Sequence, residues 1–254
     1  MKRAPPIGRL RGKTRAGRLR LWDTLLVRLF ADAVPAGVLE VGVGERPDTL
    51  LELADVLGCA PTAVELHPRR VAAARAATPF CIVQADALVP PNDARRYGVV
   101  RCANVLRQYP AAQVARAHAA LVGRTRVGGV VLEGSCDAGG DVGSFHVLRH
   151  GPGGPIRTGL VFFSSFARGF APIQLRDWLP CDLRREVRPG GVMTDLFAKW
   201  TRAWKQVRQG VPATDFRLAA EAMGEPGRCI DLSEVHPGAS AWWWTPERGV
   251  PRAD

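Results

Sequence analysis

The residues best suited to chemistry in this chain lie between Glu40 and Asp86. Glu40-Val-Gly42-Val-Gly44 closes an apolar run, Val38-Leu39-Glu40-Val41, and leads into a helical pattern from Pro47 to Leu57. Gly42 can take up the dihedrals of a tight turn, and both glycines let backbone approach a ligand closely. The helix start behind them offers unpaired N–H groups. A second acid, Glu65, stands near the end of the next apolar run, 23 residues after Gly42. A carboxylate there can accept both hydroxyls of a ribose. A third acid, Asp86 of Asp86-Ala87, follows the apolar run Phe80-Cys81-Ile82-Val83. No nucleophile–base dyad or triad accompanies these positions.

Such residues need strands to carry them and helices to space them. From Val38 to Glu133 short apolar runs alternate with helical patterns. The runs centre on residues 38–41, 63–66, 80–83, 98–102 and 130–133, and the helices on 47–57, 68–77 and 110–121. Gly58 stands in the stop position of the first of these helices. Continuous apolar strands separated by helices imply a parallel sheet covered on both faces, and right-handed crossovers make it doubly wound. An amphipathic helix precedes this block, with Trp22, Leu25, Leu26, Leu29, Phe30 and Ala33 on one side, ended by Pro35. Beyond Glu133 the rhythm breaks. Residues 145–148 and 160–163 read as a hairpin with a long, floppy turn at Gly151-Pro-Gly-Gly-Pro155. Two helices follow, from Leu196 and from Asp215, and then two closing strands at 228–232 and 239–244.

At this point the chain resembles the class I S-adenosylmethionine-dependent methyltransferases, over about Val38 to Glu133. Glu40-Val-Gly42-Val-Gly44 is similar to the family's first motif, whose acid and glycines surround the methionine part of the cofactor. Glu65 matches the ribose-binding acid, and Asp86-Ala87 the position that reads adenine. Val99 to Pro110, with Asn104-Val105-Leu106, resembles the segment facing the methyl group and substrate, and Asn104 is the substrate-facing candidate. Gly128-Gly129 resembles the glycine pair before strand five. The chain departs from the pattern in three places. Arg46 and Pro47 stand where the third glycine is usual, Tyr97-Gly98 replaces the acid that often starts strand four, and Arg107-Gln108 replaces a common His-His.

The resemblance implies an α/β fold: a Rossmann-like, doubly wound, mostly parallel seven-stranded sheet with helices on both faces and a hairpin and helical region inserted in the C-terminal half. It implies S-adenosylmethionine as cofactor, and methyl transfer to an acceptor by direct in-line displacement. Residues 134–254 would then set substrate choice, completing the same domain as the cofactor-binding core of 21–133. A dinucleotide is the weaker reading, because Gly42-Val-Gly44-Glu-Arg-Pro47 lacks the last glycine of that fingerprint. The alternative of a different class is a non-catalytic relative that binds nucleic acid.

The altered first motif motivates that alternative, and charge supplies its contact with nucleic acid. The net charge is +11, and residues 1–20 carry +8 of it with no acid, so they read as a basic, flexible arm. Such an arm suits RNA or another polyanion, whereas the rest of the chain is nearly balanced, and the substrate is a small molecule or RNA. Interleaved Trp and Arg on the 196–209 helix could stack on RNA, though core packing is the commoner use of such a stripe. The six cysteines form no C-x-x-C pair and no metal site is expected. Cys102 and Cys181 are the candidates for a cysteine-nucleophile mechanism, and His67 for the cofactor's edge. No apolar run is long enough to span a membrane, and reduced thiols fit the cytoplasm.

Overall fold

The computed structural model describes residues 15–44, 46–88 and 95–245. One nine-stranded sheet organises them, in the order β3-β2-β1-β4-β5-β6-β7-β9-β8. The strands are β1 Val38–Val41, β2 Thr62–Glu65, β3 Ile82–Gln84, β4 Tyr97–Ala103, β5 Thr125–Cys136, β6 Val142–Gly151, β7 Gly154–Ser164, β8 Gly227–Asp231 and β9 Ser240–Trp244. The first five pair in parallel, and every pairing from β5–β6 onward is antiparallel. The α/β, Rossmann-like expectation holds. The strand count is nine rather than seven, and only the first five strands are mutually parallel. The difference arises because the hairpin and closing strands extend the same sheet instead of standing apart from it.

The helices are α1 Arg20–Phe30, α2 Asp48–Leu57, α3 Pro68–Ala77, α4 Val114–Val122, α5 Val192–Val207 and α6 Pro212–Ala222. Strand side chains alternate between two faces. Val38, Val99, Val130 and Leu132 meet Trp22, Leu25, Leu26 and Leu53 from α1 and α2 on one face. Leu39, Val41, Val100, Cys102 and Val131 meet Val114, Ala117 and Leu121 of α4 on the other. Beside that second layer, Leu160, Phe162, Trp242 and Trp244 pack on Phe197, Trp200, Phe216 and Ala219 from α5 and α6. Trp200 is fully buried, so the tryptophan stripe of α5 is core. Trp243, the odd member of the Trp242-Trp243-Trp244 run, points to the opposite face, against Phe30.

The β6–β7 ladder runs to a Gly151–Gly154 pair, so the turn is a two-residue loop, tight rather than floppy. The basic segment 1–20 lies mostly outside the described residues, and the part inside is docked, not free. Leu19 is buried, and Arg18 donates from Nε to Asp137 O at 2.9 Å and from Nη2 to Cys136 O at 3.1 Å. Among the described residues no helix is long and apolar enough to cross a membrane.

Candidate functional site

In a sheet of strand order 3-2-1-4-5 the crossovers diverge between β1 and β4, and the strand ends there leave a crevice. The chain leaves β1 through Gly42 (φ +86°) and Gly44 (φ +84°), a left-handed region that other residues rarely adopt. A Cβ on Gly42 would lie 2.6 Å from Val105 Cγ2, so the turn is seated under the segment leaving β4. Gly44 N–H donates to Glu65 Oε2 at 2.9 Å, and His67 N–H donates to Oε1 at 3.0 Å. Glu65 thereby ties the glycine turn to the end of β2. Each of its oxygens keeps a second acceptor site.

At the end of β3, Asp86 Oδ1 accepts from Leu88 N–H and from the Tyr109 hydroxyl, both at 2.8 Å. Burial and then this bond push the Tyr109 phenol above its ordinary value, which keeps it a donor. Ala87 beside it is buried. Gly42, Gly44, Glu65, His67, Asp86 and Tyr109 thus form a rim across the carboxyl ends of β1, β2 and β3, closed by the segment after β4. Tyr109 is its one contact that residue type alone did not single out.

Two predicted positions make other contacts than expected. Glu40 is 2% exposed and faces the α1–α2 layer, where its Oε2 accepts from Arg101 Nε at 2.6 Å. Arg101 is fully buried, and also pairs with Asp23 of α1 and donates to Thr49 O of α2. Burial pushes Glu40 well above the usual carboxylate range and brings Arg101 down to about 9. The side chain two residues before Gly42 therefore locks α1 and α2 onto the sheet instead of lining the crevice. The sequence does hold a signal for its partner: Arg101 is a lone charge within an apolar strand, a residue seldom fully buried unless paired. Asn104 is at the crevice, and its amide meets Cys136. Oδ1 accepts from Cys136 N–H at 3.1 Å and Nδ2 lies 3.2 Å from Cys136 Sγ. Its φ of +62° shows that this clamp between the ends of β4 and β5 is held in a sparsely populated conformation. It positions backbone, and its amide keeps one N–H and one oxygen lone pair beyond these two contacts.

Burial raises both Cys102 and Cys181, with Glu133 adding to each, so neither presents a thiolate. One group of His, Asp and Glu was not expected. On the α4 face His118 Nε2 lies 3.1 Å from Glu133 Oε2, and Asp182 is 2.9 Å from His146 Nε2 and 2.5 Å from Arg157 Nη2. Glu133, His146 and Asp182 are close enough to share an ion. Arg157 against Asp182 already supplies positive charge there. A separate cleft of about 370 Å³ is lined by Gly17, Arg20, Glu52, Asp141, Ser165 and His236, and none of the rim residues borders it.

No family model matches this chain, and no curated protein matches it. Solved structures similar to it include the glycopeptide N-methyltransferase MtfA with S-adenosylhomocysteine. That match has 23% identity, covers 44% of this chain and 47% of that one, and has a TM-score of 0.37. N-methyltransferase NodS from Bradyrhizobium japonicum WM9, with the same ligand, matches at 24% identity, 47% and 62% coverage and TM-score 0.38. Streptomyces venezuelae DesVI matches over 91% of this chain and 93% of its own at 15% identity and TM-score 0.41. This chain thus spans about half the length of MtfA and under two thirds of NodS. The functional reading rests on the geometry of the rim.

Proposed function

We propose that this chain is an S-adenosylmethionine-dependent methyltransferase acting on a small-molecule acceptor. The observation that carries the reading is the Gly44–Glu65 contact: a glycine turn at the switch point, with a carboxylate at the end of the next strand bonded to it. The donor set fits an adenosine ligand. Glu65 retains acceptor sites for ribose hydroxyls, and Asp86 Oδ2 is the carboxylate oxygen left for an exocyclic amine. A pyrophosphate fits less well. Asp48 occupies the first turn of α2, paired with Arg46 at 3.1 Å, so the helix N-terminus that a dinucleotide needs already faces a negative charge.

The bound cofactor would supply an activated methyl group and its own leaving group. The chain's part is then positional. Glu65 and Asp86 hold the nucleoside end, and the glycine turn admits the amino-acid end. The 104–109 segment, clamped by Asn104 to β5 and by Tyr109 to Asp86, fixes the wall on the acceptor side. Holding an acceptor in line with the methyl group supplies much of the rate, and a general base is required only for an acceptor that arrives protonated. Of the basic segment, the described Arg18 is bonded to the end of β5.

Calorimetry with S-adenosylhomocysteine tests the proposal. Saturable binding is expected, and Glu65→Gln should weaken it about tenfold, the usual effect of losing a hydrogen bond to a charged group. Absent binding by the unaltered protein, or equal affinity in the variant, overturns the reading.

A further inference from the structure

We propose that the β4–β5 end of the crevice holds an oxyanion subsite, with Arg107 as its main contact, for a carboxylate or phosphate borne by a small-molecule methyl acceptor. The word acceptor rests on the function proposed above. The anion site itself rests on different residues.

Arg107 belongs to the segment that forms the crevice wall. It lies two residues after Val105, which covers Gly42, and two before Tyr109, which bonds Asp86. Its guanidinium lies 4.7 Å from the centroid of the Trp178 ring. An aromatic face beneath the guanidinium fixes its plane and leaves the N–H donors at its edge free for a bidentate acceptor. Among the described residues no carboxylate pairs with Arg107. Glu133 and Asp182 are taken up by His118, His146 and Arg157.

Two further arginines act on Arg107, with Cys136 and Cys181 acting the other way. Its pKa is lowered first by burial and then by Arg184 and Arg18. Arg18 is fixed in place by Cys136 O and Asp137 O, so it does not swing away. A half-buried arginine crowded by two others, with no acid against it, is a repulsive arrangement that an anion would relieve. A hydroxyl stands at the same end of β5. Ser135 is fully buried, and its Oγ has no partner among the described residues. Its register partner on β6, Ser144, holds Trp178 O at 2.9 Å. The serine pair therefore lies beside the backbone of Trp178, whose ring carries Arg107.

The test titrates the full chain with inorganic phosphate and, separately, with benzoate, at constant ionic strength in chloride, by calorimetry or by nuclear magnetic resonance of the tryptophan indoles. At least one oxyanion should bind saturably, and which one binds tells a phosphate acceptor from a carboxylate acceptor. Arg107→Gln should weaken that binding about tenfold or more, and Arg107→Lys less, since it keeps the charge and loses the fork. Arg217→Gln, an exposed residue on α6 paired with Glu221, should leave it unchanged. Failure of both anions to saturate, equal affinity in Arg107→Gln, or equal weakening by Arg217→Gln overturns the subsite. Displacement of the bound anion by a single-stranded RNA oligonucleotide at far lower concentration overturns the small-molecule form of the proposal. S-adenosylhomocysteine is titrated into the unaltered protein and Arg107→Gln alongside. Its binding by both, without a change in affinity, shows that Arg107→Gln is folded. Loss of its binding in the unaltered protein overturns the cofactor reading and leaves the anion result standing.

Discussion

Apart from the buried Glu40 and Arg101, glycines and polar groups of the parallel half gather where the strands end: Gly42 and Gly44 after β1, Glu65 on β2, Asp86 past β3, Asn104 past β4. Along β7 and β9 the corresponding space is filled by rings. Phe162, Trp242 and Trp200 lie within 5.8 Å of one another by centroid, and Trp200 meets Phe216 at 5.6 Å. The reason is strand direction. Parallel strands bring all their carboxyl ends, and the loops leaving them, to one edge of the sheet, where they can converge on a ligand. Antiparallel strands alternate their ends, and offer a broad face for packing instead. The first half of this molecule gathers glycine turns and acids at one edge, and the second half packs rings on a face.

Three substitutions press on that contrast, beginning with the largest effect. Trp200→Ala empties the centre of the aromatic layer and should cost about 3–5 kcal/mol, read as a lowered denaturation midpoint. S-adenosylhomocysteine binding per folded molecule should be unchanged if the two halves differ in role as described. A proportionate loss of affinity would break the comparison. Asp182→Asn comes next, at about 3 kcal/mol near neutral pH, because one partner of a buried pair is removed. Burial alone would raise Asp182, but His146 and Arg157 hold it well below its ordinary value. A carboxylate depressed in the folded state contributes stability above its unfolded value of 3.8, and that stability is lost as pH falls toward the folded value. The acid side of the stability profile, followed by urea midpoints below pH 5, should therefore be flatter in the variant. An unchanged slope would show that Asp182 is not the group that titrates there.

The smallest stability effect belongs to the parallel half. Gly42→Ala introduces a Cβ at φ +86° and against Val105, for a cost of about 1–3 kcal/mol. Its larger consequence should be for S-adenosylhomocysteine, whose affinity falls as Val105 is displaced from the crevice. Unaltered affinity would separate the glycine turn from the ligand site and blunt the comparison from the other side.

The parallel half was readable because each of its elements announces itself locally. Pro68–Ala77 was anticipated to the residue, and Gly58 closes α2 in the left-handed conformation as expected. The antiparallel half was read less well. β5 was expected over four residues and runs from Thr125 to Cys136, because β6 pairs with its far end and supplies partners that composition does not show. The same pairing hid the tight hairpin within a glycine- and proline-rich stretch. Glu65 and Asp86 could be found by spacing and Arg107 by its place in the segment after β4, but its neighbours Arg18 and Trp178 could not, since they come from separate segments.

By itself the sequence determined a glycine turn after the first strand, acids at the ends of the next two, and the alternation that stacks those strands in parallel. These follow from backbone dihedrals and from the two periodicities of helix and strand. Only the tertiary structure decided which way each acid looks. Glu40 and Glu65 are both acids on neighbouring strands, yet one is buried against Arg101, 61 residues on, and the other bonds the glycine turn. A strand turns successive side chains to opposite faces. What an acid does therefore depends on which strand or turn the fold sets beside it, Arg101 of β4 for Glu40 and the glycine turn for Glu65, and that is a matter of contacts far apart in the chain.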